Sequence, residues 1–309
     1  MEKNKRNISV LKSVAALLML TGLWGCEDVI DLKTETGPPS LVVDGWITNQ
    51  AGLQKIKLTK SAAYFDNSPA PAALQADVWV EDDQGKIYRF EDVKSDGNYL
   101  WQPADADSAL GAIGRSYTLH IEYEGESYTA QNEIKRIPTI DSLVFTHESW
   151  PVTPENGPKD GFIAEFYARD FEGTGDCYWI KPLRDGKAYK NNPVYISIAY
   201  DAAFSSESPT DGLIFIQPIR QSLTIGELFE DKDLVGLELL SIDEAAFNFL
   251  SRVRTEASNG GLFAVPFSNL PTNIKSSGGK KVLGFFGASA VNRVEQRVDA
   301  NTARPRRAR

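Results

Sequence analysis

Cysteine and histidine are almost missing, with two of each in 309 residues. Cys26 and Cys177 cannot build the framework of bridges that holds small secreted domains, so the fold must rest on packing. Cys177, beside Tyr178-Trp179-Ile180, reads as a small buried hydrophobe. His120 and His147 belong to no HExxH or other paired-ligand spacing, and no CxxC occurs, which excludes the usual zinc signatures. No Gly-x-Ser-x-Gly elbow is present, and Gly278-Gly279-Lys280-Lys281 lacks the spacing and the Ser/Thr of a phosphate loop. The 42 carboxylates leave a glycosidase pair open, because separation in space decides that chemistry. Every local catalytic signature fails, so no enzyme activity, catalytic residue, metal or cofactor is expected.

Positive charge is short as well. Lys and Arg number 33 against 42 Asp and Glu, a formal net charge of −9, which argues against nucleic acid as a partner. The one basic block, Arg304-Pro305-Arg306-Arg307-Ala308-Arg309, has no aromatic residue and lies past any periodic segment, so residues 291–309 read as a basic, disordered tail. Long apolar runs are lacking too. Val14–Leu23 spans only ~15 Å as a helix, about half the ~30 Å hydrocarbon layer, and is no stable membrane span.

That short run has a different use. Lys3, Lys5, Arg6 and Lys12 precede it and small residues follow, the pattern of a secretory leader over residues 1–25. It ends Leu23-Trp24-Gly25-Cys26, which resembles the bacterial lipobox, although Trp24 stands where a small residue is usual. The resemblance implies cleavage before Cys26 and a diacylglycerol and an amide-linked chain (palmitate) on that cysteine. Each buried methylene contributes ~0.8 kcal/mol, so several chains hold a domain where one binds marginally. Removal of four cations and Glu2, a net +3, takes the formal charge from −9 to −12. Residues 26–40 form a tether without sustained period, reaching up to ~45 Å when extended at ~3.3 Å per residue. The acidic pair Glu27-Asp28 resembles a surface-export signal, which favours a surface-facing over a periplasmic position on an outer membrane.

From Leu41 the pattern is that of β structure. Seven short strands are predicted: Leu41–Thr48, Gln54–Ala62, Ala76–Asp83, Lys86–Asp92, Asn98–Pro103, Ser116–Glu124 and Ser127–Ile134. Turns such as Asp82-Asp83-Gln84-Gly85 and Tyr123-Glu124-Gly125 supply residues tolerant of positive φ. Period-two alternation, as in Tyr117, Leu119, Ile121 and Tyr123, predicts an Ig-like or transthyretin-like antiparallel β-sandwich over residues 41–136. Residues 137–290 read as a second, β-rich domain with strands at Ser142–Thr146, Phe162–Ala168, Tyr178–Leu183, Val194–Ala199, Leu213–Pro218, Leu262–Pro266 and Val282–Phe286. One packed helix over residues 242–257 is predicted there, with Ser241 as N-cap, Glu244 completing a capping box and Asn259-Gly260-Gly261 as its stop. The fold class expected is mainly β.

Aromatic residues give the candidate contacts. The register that buries Leu41, Val43 and Ile47 turns Trp46 outward with Asp44. In the third strand Val78 and Val80 face in and Trp79 faces out. Each tryptophan is either covered by the rest of the chain or available to a partner. The loop Tyr64-Phe65-Asp66-Asn67 sets an aromatic pair beside hydrogen-bonding groups. Asp170-Phe171-Glu172-Gly173-Thr174-Gly175-Asp176 spaces its oxygens as a calcium loop does, but Lys181 stands where a bidentate carboxylate is needed, which favours an acidic turn.

Three stretches carry a family resemblance: Cys26–Leu32, then Leu41-Val42-Val43-Asp44-Gly45-Trp46-Ile47-Thr48-Asn49 with Ser61–Asn67, and finally Pro271-Thr272-Asn273-Ile274 with Leu283-Gly284-Phe285-Phe286-Gly287-Ala288-Ser289. Together they resemble the lipoproteins catalogued as domain of unknown function 4249. The resemblance implies a Bacteroidota envelope lipoprotein of the kind often encoded beside TonB-dependent outer-membrane receptors, and it brings no catalytic residues. The expected function is that of a lipid-anchored binding or accessory lipoprotein assisting such a receptor in nutrient capture, its ligand not given by the sequence. An envelope-assembly lipoprotein and a glycan or peptide hydrolase are the alternatives.

Overall fold

The computed structural model describes residues 37–62, 66, 68–259 and 270–306. The expected leader, Cys26 and most of the expected tether lie outside the described residues, as do Tyr64, Phe65, Asn67 and the expected strand Leu262–Pro266. Residues 39–309 form a compact unit separate from residues 1–38.

This unit is mainly β. Its first seven strands are β1 (Leu41–Thr48), β2 (Gln54–Lys60), β3 (Asp77–Asp82), β4 (Ile87–Phe90), β5 (Asn98–Trp101), β6 (Ser116–Tyr123) and β7 (Glu126–Glu133). There follow β8 (Ile140–Ser149), β9 (Asp160–Ala168), β10 (Cys177–Arg184), β11 (Lys187–Ala188), β12 (Ser197–Tyr200) and β13 (Leu234–Ile242). The last are β14 (Lys275–Ser276), β15 (Val282–Ser289) and β16 (Val291–Arg297). A short helix, Gln217–Arg220, and a long one, Glu244–Ala257, interrupt them.

The alternation in the first strands is borne out. Val43, Ile47, Ile56, Leu58, Val78, Val80, Leu119 and Ile121 are all at most 1% exposed and share one core. Two sheets enclose it, in strand orders β15-β1-β2-β5 and β14-β7-β6-β3-β4. The sandwich is not purely antiparallel, however. β15 lies parallel to β1, Leu41 opposite Val282 through Thr48 opposite Ser289. A parallel pair cannot be closed by a tight turn and needs a long crossover; here the whole β-rich region is that crossover. The sandwich of residues 41–136 is therefore completed by a strand from the segment expected to belong to the next domain.

The second core lies under the sheet β11-β10-β13-β16, with β12 also on β10, and under the hairpin β8-β9. Its central strand, β13, was not predicted: Leu-Val-Gly-Leu-Glu-Leu-Leu-Ser-Ile buries side chains on both faces and so lacks alternation. Two further expectations are corrected. Leu213–Pro218 does not form a strand, because Pro218 lies in the first turn of the short helix, where its fixed φ suits a helix start. The long helix is capped by Asp243 rather than Ser241; Asp243 Oδ1 accepts from Ala246 N at 2.7 Å. Ser241 is still in β13, its hydroxyl donating to Lys135 O at 2.9 Å and accepting from Ala290 N at 3.0 Å.

The expected disordered tail is a correction as well. Residues 291–297 are β16, paired along β13 from Leu240–Val291 to Leu234–Arg297. Val298 is fully buried, Arg304 N bonds Phe145 O at 2.9 Å, and Arg306 pairs with Glu148 at 2.9 Å. The polar periodicity of Val-Asn-Arg-Val-Glu-Gln-Arg hid a sheet-edge strand, whose charges belong on the solvent side.

Candidate functional site

Trp46 is the place to begin. Gly45 and Ile47 fall on the core side of β1, so Trp46 crosses the outer face and lies on β15. Glycine makes that possible: a Cβ on Gly287 would stand 2.6 Å from the Trp46 ring. The indole N–H donates to Ser289 Oγ at 2.9 Å, and Ser289 Oγ donates to Ser241 O at 2.5 Å. These two bonds fix the ring without enclosing it, and Trp46 stays half-buried.

Three further rings join it. Trp179 of β10 meets Trp46 edge-on at 5.1 Å between centroids and 71° between planes. Phe285 of β15 lies nearly parallel to Trp46 at 6.2 Å and 28°. Phe249, on the long helix, stacks on Phe285 at 4.9 Å and 23°. Offset and edge contacts of this kind add about 0.5–1.5 kcal/mol each beyond burial. The rings line an open groove of about 480 Å³, within the range of ~300–1,000 Å³ typical of small-molecule sites. Val42, Leu283 and Leu270 complete its apolar wall, with Asp44 and Lys281 also lining it. A second, polar depression of about 290 Å³ shares Asp44 and Trp46 with the groove and is lined further by Thr48, Gln50, Gln54 and Lys55.

A family model described as Domain of unknown function (DUF4249) matches residues 27–295. The chain belongs to that family. No curated protein matches it. Among solved structures, a two fibronectin type-III domain segment from chicken tenascin is similar at 11% identity and a TM-score of 0.20, over 66% of this chain and 90% of that one.

Of the foreseen contacts among the described residues, Trp46, Asp66 and Trp79, only Trp46 lines the groove. Trp79 sits on the outer face of β3 with His120 stacked flat against it at 4.9 Å and 3°, and with the Arg89 guanidinium 5.8 Å from its ring. Both ring faces are taken by neighbouring strands, which leaves Trp79 a cross-strand ladder residue. Asp66 Oδ1 accepts from Ser68 N and Ser68 Oγ, and these bonds hold its carboxyl below the usual carboxylate range. Sequence reasoning missed Trp179, Phe249, Phe285 and Lys281. Trp179 carried a readable signal, since it alternates with Tyr178 and Ile180 exactly opposite to their buried face, as Trp46 does in β1.

The acidic loop also gathers more than its own residues. Asp170, Asp201 and Asp211 bring carboxylate oxygens within 4.8 Å of one another. Asp170 accepts from Tyr178 Oη at 2.5 Å and Gly212 N at 3.3 Å, and Asp201 from the amides of Gly175 and Asp176 at 2.8 and 3.1 Å. Burial pushes the Asp170 carboxyl above its usual range despite those bonds. The bonds pin two loops to β10. Cys177 and the Tyr178 hydroxyl beside them are likewise pushed up by burial, which leaves the thiol a packing group.

Proposed function

We propose that the chain is a lipid-anchored binding lipoprotein of a bacterial outer membrane, held by a diacylglycerol on Cys26 and an amide-linked palmitate-type chain, with the β body facing the cell surface. The body works beside a TonB-dependent receptor as an accessory in nutrient capture, and the aromatic groove is its contact site. The observation that carries the binding reading is the aromatic groove itself: Trp46, Trp179 and Phe249 stay open to solvent in part above the buried Phe285. The anchor reading is supported by the cationic start, the short apolar run and Cys26, and by a tether that ends where β1 begins. No helix among the described residues is long and apolar enough to cross a membrane, which fits attachment through a lipid.

Two measurements test this. The native chain partitions with membranes and gains the mass of its lipid, whereas Cys26→Ser is recovered soluble at the unmodified mass; equal partition and mass for both sinks the anchor. In detergent extracts the protein is expected to co-elute with a TonB-dependent receptor of the same membrane, and consistent separation from every such receptor removes the accessory role.

A further inference from the structure

We infer that the groove takes a single-chain anionic amphiphile, an apolar chain ending in a carboxylate. The inference rests on reading the groove as a ligand site and names what fills it. The shape asks for two chemistries in one ligand. The larger part is walled by rings and aliphatic side chains, and the smaller part, which shares Asp44 and Trp46 with it, is lined by Thr48, Gln50, Gln54 and Lys55. An apolar body alone leaves the second part to water, and a polar ligand alone strands the first.

Charge gives the sign of the head group. The chain is acidic overall, at −9, yet lysines surround this site. Lys281 and Lys55 line its two parts. Lys57 stands directly across from Asp44 on β2, and Lys181 Nζ lies 4.8 Å from the Trp179 ring. Asp44 is the one acid among the described residues of either lining. The two linings hold two lysines against one carboxylate, a positive balance in an otherwise acidic chain that complements an anion. The occupant is a free molecule rather than a bilayer surface, because the apolar rings lie in a concavity: Phe285 at its floor is 4% exposed, out of reach of a flat membrane.

The full chain carrying Cys26→Ser, in buffer without detergent, is titrated with dodecanoate below its aggregation threshold and with dodecanol as the uncharged match. Dodecanoate is expected to shift the tryptophan emission saturably, with dodecanol about tenfold weaker, equivalent to ~1.4 kcal/mol. The exposed variant Lys55→Glu is expected to weaken dodecanoate by about tenfold and to leave dodecanol and the thermal midpoint unchanged. Equal affinity for the two probes keeps the groove as a ligand site and overturns the anionic head. No saturable shift with either probe overturns the ligand site itself, whatever Cys26 carries. Binding to anionic vesicles in place of dodecanoate overturns the free-molecule occupant.

Discussion

The strands from Leu41 to Glu133 and the strand β13 make opposite use of hydrophobic residues. In β1, β6 and β7 every second side chain is buried, because one face meets the sandwich core and the other meets water or a thin cover. In β13 eight positions run Val-Gly-Leu-Glu-Leu-Leu-Ser-Ile with almost all buried. Val235, Leu237 and Leu239 enter the second core, while Ile242 joins a small third cluster with Leu250, Phe285 and the groove rings. The difference is one of layers: a strand with one wet face writes its orientation in the sequence, and a strand covered on both faces does not. Strand β15 belongs to both regions at once, since its inner residue Phe286 fills the first core and its outer residue Phe285 the third.

The strongest way to break this comparison is to cut the chain before Val282. The loss takes β15 from the first sheet and β16 from the second, and neither region is expected to unfold cooperatively by circular dichroism. A chain ending at Lys281 that still melts sharply would show that a region holds together without its last strand. Next come paired truncations of fully buried rings, Phe286→Ala in the first core and Phe229→Ala in the second. Each is expected to cost about 3–5 kcal/mol in urea titrations. One shared transition in both variants supports a single cooperative unit, and two separate transitions divide it into two domains.

Gly287→Ala sharpens the role of the shared strand. The added methyl meets the Trp46 ring at 2.6 Å, with an expected loss of about 1–3 kcal/mol from overpacking and a changed Trp46 emission. An unchanged spectrum would mean that the ring is not laid on β15 as described.

Acid titration separates the regions by sign. In the first, burial opposes ionisation of Asp82, but the Lys86 and Gln84 amides, the Tyr88 hydroxyl and Arg115 outweigh it and hold its carboxyl below the usual range. Its stabilisation is present above the unfolded value of 3.8 and is lost as pH falls through the lower folded value. In the second, burial raises Asp170, so its contribution runs the other way: protonation favours the folded state, and stability declines as pH rises from 3.8 through the raised folded value. Asp82→Asn is expected to destabilise at pH 7, and Asp170→Asn to remove the part of the pH slope that opposes acid unfolding. Chemical denaturation of both variants between pH 3 and 7 checks the two signs. The smallest effect is expected at Trp79→Phe, within about 1 kcal/mol, since a cross-strand pair contributes only a few tenths to one.

Much of the first region was legible. β1 was placed to the residue, and the other six strands within about two residues at each end, because alternation and turn residues are local signals. The long helix was legible for the same reason, although its cap moved two residues when β13 claimed Ser241. The groove was half-legible: Trp46 stood out as an aromatic on the wrong face, while its companions on β10, β15 and the helix sat in patterns that read as ordinary packing. The Asp170 loop was seen without Asp201 and Asp211, which follow about thirty and forty residues later and reach it through folding alone.

The sequence by itself determined the mainly β class and which side chains of β1 to β7 turn inward, since each depends on neighbours a few residues away. Only the tertiary structure decided that β15 lies along β1, that Trp46 bonds Ser289 across 243 residues, and that four rings from three elements and the first strand line one groove. Such pairings are chosen by the free energy of whole packed surfaces, and no short window of residues contains both partners.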